Sequence, residues 1–184
     1  MGTRTSLILA SVILLALLGA GCVGEGTPGQ GSVPSIVSED GQVLQIFGDV
    51  TGQGVILQGV PRGTIDTVTF AVGLAPGTKT VDVGNLSIVY TDVVRTETLT
   101  PVSGLIGNPP PGAWGILTVK NQAGNPNTRL DFEEQLVIRV NPKAPIVPNQ
   151  VITISVKPVE GKPLIIRRVA PATIQENENI LAPL

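Results

Sequence analysis

Histidine is absent from this 184-residue chain, and cysteine occurs once, at Cys22. An intramolecular disulfide is thereby excluded. So are a zinc site, which needs several Cys or His ligands, and a cysteine nucleophile activated by a histidine base. Aromatic residues are nearly as scarce: Phe47, Phe70, Phe132, Tyr90 and Trp114 are the whole set. A core must therefore be built from Val, Ile and Leu, residues that favour pleated strands. No run of like charge occurs, and the 12 basic and 14 acidic side chains nearly balance. Neither nucleic acid nor an anionic membrane surface finds a field to follow, and no nucleic acid partner is expected. The glycine-rich stretch 48–54 lacks the Gly-Lys-Ser/Thr ending of a phosphate loop, so no cofactor is expected either.

Carboxylates alone are left for catalysis. Asp66, Asp82, Asp92, Asp131, Glu133 and Glu134 are the candidates for a glycosidase-like pair or a calcium site. The plainer reading makes them solvated strand ends and turns, and the chain is read as not an enzyme. Trp114, the lone tryptophan, suits either a binding hot spot or a core position beside Phe70 or Tyr90, and the core position is preferred.

For Cys22 itself, elimination leaves covalent attachment. Arg4 supplies a short basic start, and 7–18 (LILASVILLALL) is an apolar run of signal-peptide length, short of the roughly 18 or more residues of a membrane-spanning helix. Gly19, Ala20 and Gly21 then lead into the cysteine as in a lipoprotein signal, although Gly19 stands where a branched residue is usual. Cleavage before Cys22 and lipidation of its sulfur would give a durable anchor, since two hydrocarbon chains contribute roughly 0.8 kcal/mol per buried methylene. An ordinary secretory signal and an uncleaved anchor helix share the same apolar run. Residues 22–41, rich in Gly, Pro and Ser, read as a flexible tether.

Beyond the tether the pattern is that of strands. In 64–74 (TIDTVTFAVGL), Val68, Phe70, Val72 and Leu74 share one parity and Thr67, Thr69 and Ala71 the other. Strands are also predicted over 85–91, 94–99, 114–120, 134–140, 151–157 and 164–169, with apolar content beginning at Val43. The prolines Pro109, Pro110 and Pro111 cannot donate to a ladder, so 104–112 is predicted to be a crossing loop. The cluster 123–127 is predicted to be a turn. About eight short strands without an amphipathic helix after residue 41 imply an all-β fold, an immunoglobulin-like antiparallel β-sandwich following the N-terminal signal or anchor helix. The expected organisation is a signal or anchor over 1–21, the tether over 22–41, the sandwich over 42–172, and a C-terminal tail over 173–184 lying on the domain or in solvent. Asn85-Leu86-Ser87 is the one Asn-x-Ser/Thr sequon. With Leu86, Ile88 and Tyr90 facing inward, Asn85 and Ser87 are predicted to face outward, which permits N-glycosylation at Asn85.

The motif order then becomes informative. RGTIDTVTFAV (62–72) and VDVGNLSIVYTD (81–92), followed near the end by PNQ (148–150), KP (157–158), GKPL (161–164) and IRRVAP (166–171), resemble the archaeal flagellins, or archaellins, over roughly 42–172. The resemblance implies a structural, non-enzymatic protein that is part of, or associated with, the archaeal motility filament. It also implies export to the cell surface and contacts with other protein subunits. The departure lies at the front: no Lys-Gly or Arg-Gly precedes Leu7, and the apolar run stops at a cysteine where archaellins continue a long packing helix. The membrane partner is then reached through the N-terminal anchor or the lipid. The other reading carried forward is a lipid-anchored extracellular binding module for a ligand, glycan or protein partner.

Overall fold

The computed structural model describes residues 41–184 apart from 59–61, 79, 106 and 123–127. Cys22, the apolar run, the tether up to residue 40 and the 123–127 cluster lie outside the described residues. The strands are β1 (Leu44–Val55), β2 (Thr64–Leu74), β3 (Val81–Asp82), β4 (Ser87–Thr91), β5 (Thr96–Leu105), β6 (Ala113–Lys120), β7 (Arg129–Leu130), β8 (Gln135–Asn141), β9 (Val151–Lys157), β10 (Leu164–Val169), β11 (Asn177–Ile180) and β12 (Ala182–Pro183). Hydrogen bonds link them in the order β11-β1-β2-β8-β6-β5-β4-β9-β10-β12, with β3 and β7 pairing separately.

This ladder folds into a β-sandwich because two runs of chain change sheets. The first half of β5 pairs with β4, Ile88 opposite Leu99, and its second half pairs with β6, Thr100 opposite Ala113. At the other edge β11 lies on β1 and β12 on β10, with Leu181 buried between them at 1% exposure. The inner faces follow the period of two. From one layer come Val68, Phe70 and Val72 of β2 against Val140, Ile138 and Leu136 of β8. From the other come Ile88 and Tyr90 of β4 against Val156 and Ile154 of β9, with Ile166 of β10 beyond. Trp114 is buried in this core, opposite Val140. With no disulfide available, burial of these aliphatic side chains, about 1.5–3 kcal/mol for each fully buried one, carries the fold.

Three differences from the sequence pattern have physical causes. First, the sandwich is not wholly antiparallel, because β5 and β6 run parallel. The proline loop brings the chain back to the end it came from, and it is bound to β8: Arg139 donates to Gly107 O at 2.7 Å and Asn141 Nδ2 to Pro109 O at 2.7 Å. Second, the strand predicted from residue 94 starts at Thr96, since Val93 and Val94 belong to a turn. Third, 173–184 is not a tail but an integral part of both sheets.

Glycines in β1 make this last feature possible. A Cβ on Gly52 would meet Ile65 Cγ2 at 2.6 Å and Leu181 Cδ1 at 3.0 Å, and one on Gly54 would strike the Gln175 carbonyl and the Asn179 amide. Bare backbone there lets the C-terminal segment approach. Asn179, only 6% exposed, then organises the turn before β11: its Oδ1 accepts from Gln175 N at 2.8 Å and its Nδ2 donates to Gln175 O at 2.9 Å. Ile174 and Leu181 fill the space on either side.

Gly54→Ala is expected to lower stability by about 2 kcal/mol in urea unfolding and to expose the C-terminal segment to protease. Gly107→Ala, where an added Cβ meets nothing within 4 Å, is expected to stay within about 0.5 kcal/mol of the parent.

Candidate functional site

The sandwich has two ends. β8 runs from Gln135 at the end where β1 begins, here the near end, to Asn141 at the far end. Each end carries exposed apolar side chains that core packing leaves unexplained, and at each one turn stands out.

At the far end, the β4–β5 turn is built on Asp92, whose side chain is fully buried. Its Oδ1 accepts from the amides of Val94 (2.9 Å) and Arg95 (3.0 Å), while its Oδ2 contacts Arg95 Nε at 3.0 Å and accepts from the Tyr90 hydroxyl at 3.2 Å. Arg95 lies over the Tyr90 ring, 5.4 Å from its centroid, and donates to Ala144 O at 2.7 Å, tying the turn to the β8–β9 loop. Glu97 continues the network by accepting from Lys143 N at 3.0 Å. Burial alone would raise the Asp92 pKa, but the two amides, the guanidinium and the phenol together hold it below the usual carboxylate value. Burial, chiefly, pushes the Tyr90 phenol well above its ordinary range, so it remains a neutral donor. What this network displays is a pair of bare valines: Val93 and Val94 are 81% and 82% exposed.

At the near end, Gln45, Phe47, Leu74, Pro76, Asn121 and Phe132 are among the residues that surround an open groove of about 520 Å³. The Phe47 ring forms part of its floor, lying across Gly73, where a Cβ would meet Cε2 at 2.6 Å. Its wall is the turn between β7 and β8. Glu134 N donates to Asp131 O at 3.2 Å, and Asp131 N donates to Glu134 Oε2 at 3.0 Å. Glu133, at the third position of this turn, has φ +68°, where glycine is usual. Asn121, itself at φ +57°, donates from Nδ2 to Glu133 O at 3.1 Å. The turn presents Phe132, 78% exposed, beside the exposed carboxylate of Glu133.

The carboxylates singled out in the sequence are thus distributed among turns. Asp82 Oδ1 accepts from Gly84 N at 2.8 Å, Asp92 forms the far turn, and Asp131, Glu133 and Glu134 share the near one, while Asp66 lies apart on β2. Among the described residues no three His, Cys, Asp or Glu side chains are grouped so as to hold a metal ion. Asn85 and Ser87 are exposed and Leu86 is buried. Sequence reasoning missed Val93, Val94, Phe47 and Phe132 as surface features. The readable signal was Asp92 two and three residues ahead of Val94 and Arg95, a side chain that bonds backbone amides further along the chain.

Comparison with known proteins places this geometry in context. A family model described as archaeal-type flagellin matches residues 30–168. No curated protein sequence matches the chain. Among solved structures, the archaeal flagellin FlaB1 from Methanocaldococcus jannaschii superposes with a TM-score of 0.57 at 16% identity, covering 77% of this chain and 98% of that one. The archaeal flagellum of Methanospirillum hungatei strain JF1 gives a TM-score of 0.51 at 15% identity, covering 76% and 70%. These two likenesses concern the fold.

Two outcomes are expected. Asp92→Asn should cost about 3 kcal/mol, because an amide nitrogen cannot accept from the Tyr90 hydroxyl or pair with the Arg95 guanidinium as Oδ2 does. Asp92 has a folded pKa below its unfolded value, so its contribution is present above about pH 4 and lost as pH falls through the folded value. Urea unfolding across pH 2–6 should therefore show an acid decline in the parent that the Asn variant lacks in part. Glu133→Gly should stabilise the fold by about 1 kcal/mol by relieving the left-handed backbone.

Proposed function

Because the chain belongs to the archaeal-type flagellin family, whose model covers residues 30–168, we propose that it is a structural, non-enzymatic subunit of the archaeal motility filament or of its cell-surface surroundings. The family match carries this reading: it spans the described sandwich from residue 41 through nearly all of β10. The carboxylates support it, since the side chains of Asp82, Asp92 and Glu134 each accept from a turn amide and so serve local structure. The exposed apolar positions at both ends suit protein contacts. Export to the cell surface belongs to this reading, with the chain held through its N-terminal segment.

Two modifications complete it. Cys22 carries lipid after cleavage of residues 1–21, and Asn85, exposed in the turn that opens β4, carries an N-linked glycan. Peptide mapping of protein taken from its native membrane or filament is expected to find Asn85 glycan mass on the tryptic fragment 80–95; an unmodified fragment throughout would remove the glycan. Intact mass is expected to begin at Cys22 with added lipid. A chain that retains 7–18 with an unmodified Cys22 would instead make the apolar run the anchor or packing segment. Purified filaments in which this chain is absent, under conditions where the cell makes it, would overturn the filament role.

A further inference from the structure

The two ends of the sandwich fit each other, and we propose that the Val93-Val94 turn of one copy docks in the Phe47/Phe132 groove of the next, joining subunits head to tail. The inference rests on the filament reading and names the contact within it.

Four observations carry it. The turn is a rigid, apolar knob: Asp92 fixes two of its amides, and Arg95 is clasped by Tyr90, Asp92 and Ala144 O. A preorganised knob loses little conformational freedom on docking, which removes the loop-ordering part of the cost of association. The turn also stands at the far end of β8 while the groove opens at its near end, and seven strand residues separate them. A contact between opposite ends of identical copies is heterologous, the type that builds an open filament wherever its rotation does not close a ring. Next, the flanking charges are opposite. Lys143 stands exposed in the loop that Arg95 grips, with its amide on Glu97, whereas Glu133 stands exposed on the groove rim. Finally, the backbone keeps Glu133 in a glycine conformation, which places Phe132 and a carboxylate together at the rim. The groove, at about 520 Å³, accommodates two valine side chains with room for the turn backbone.

Because knob and groove are different surfaces, the test uses complementary variants of the full chain. V93E/V94E removes the knob and leaves the groove; F132E removes the groove and leaves the knob. Both changes fall on exposed positions, and circular dichroism with urea unfolding verifies that each variant folds. In detergent, sedimentation of the parent at rising concentration is expected to show a ladder of oligomers. Each variant alone should weaken this association at least tenfold. Their equimolar mixture should recover a one-to-one pair and stop there, a signature that a face-to-face contact cannot produce. K143E should also weaken association, and K143E/E133K should restore it. Parent-like assembly by both variants, or a mixture that fails to pair, would overturn this contact while leaving the filament reading intact. A parent that stays monomeric and is absent from native filaments would remove the filament reading itself.

Discussion

At Thr100 the chain leaves one sheet for the other, and its amide donates to Gly112 O at 2.9 Å as it does so. That crossing, with its counterpart at Leu181, is the constraint on which the molecule rests. An open sandwich has edge strands that offer unpaired amides to any neighbour. Here the ladder runs round both layers, because β5 belongs to both sheets and the C-terminal segment spans the remaining gap. Closure of this kind needs bare backbone where the last segment enters, and Gly52 and Gly54 supply it. It takes the place of a disulfide framework, which a single cysteine cannot provide.

The parts of the fold legible in the sequence are those where one physical signal dominates. In β9 alternation is clean, in β2 and β10 the apolar content and flanking turn residues mark the strand, and the predicted limits 64–74, 151–157 and 164–169 coincide with the observed ones. The outward placement of Asn85 and Ser87 was readable from parity, and the burial of Trp114 from the usual preference of a lone tryptophan for a core. The hidden parts depend on distant partners. The segment NENI has almost no apolar content, and its pairing follows from the glycines of β1, over a hundred residues earlier. β1 itself was obscured by an irregularity between Phe47 and Thr51 that breaks its period of two. The parallel pairing of β5 with β6 depends on how Arg139 and Asn141 hold the proline loop, which no local pattern encodes.

Surface chemistry followed the same rule. Asp92 was visible as a carboxylate, but its partners come from four places: Tyr90 before it, Val94 and Arg95 after it, and, through Arg95, Ala144 in another loop. A carboxylate so fully engaged with backbone and guanidinium is a fastener; it has no lone pair aimed at a cleft. The same network explains why two β-branched apolar residues can stand in solvent without collapsing onto the domain. At the near end, a glutamate in a conformation suited to glycine tells a similar story: local strain is held in place by Asn121 and by the turn's own hydrogen bonds.

The direction of β1 gives the closed ladder a mechanical meaning. The chain enters the domain beside Gly41, and β1 runs from there toward the far end with β2 on one flank and β11 on the other. A pull on the entering segment, resisted at the opposite tip, acts along the strand axis. The hydrogen bonds on both flanks are then loaded together in shear, where a pull across the strands would unzip them one after another. In a motility filament, such a domain would transmit tension along its length as a clamp, with β11 serving as one of its two jaws.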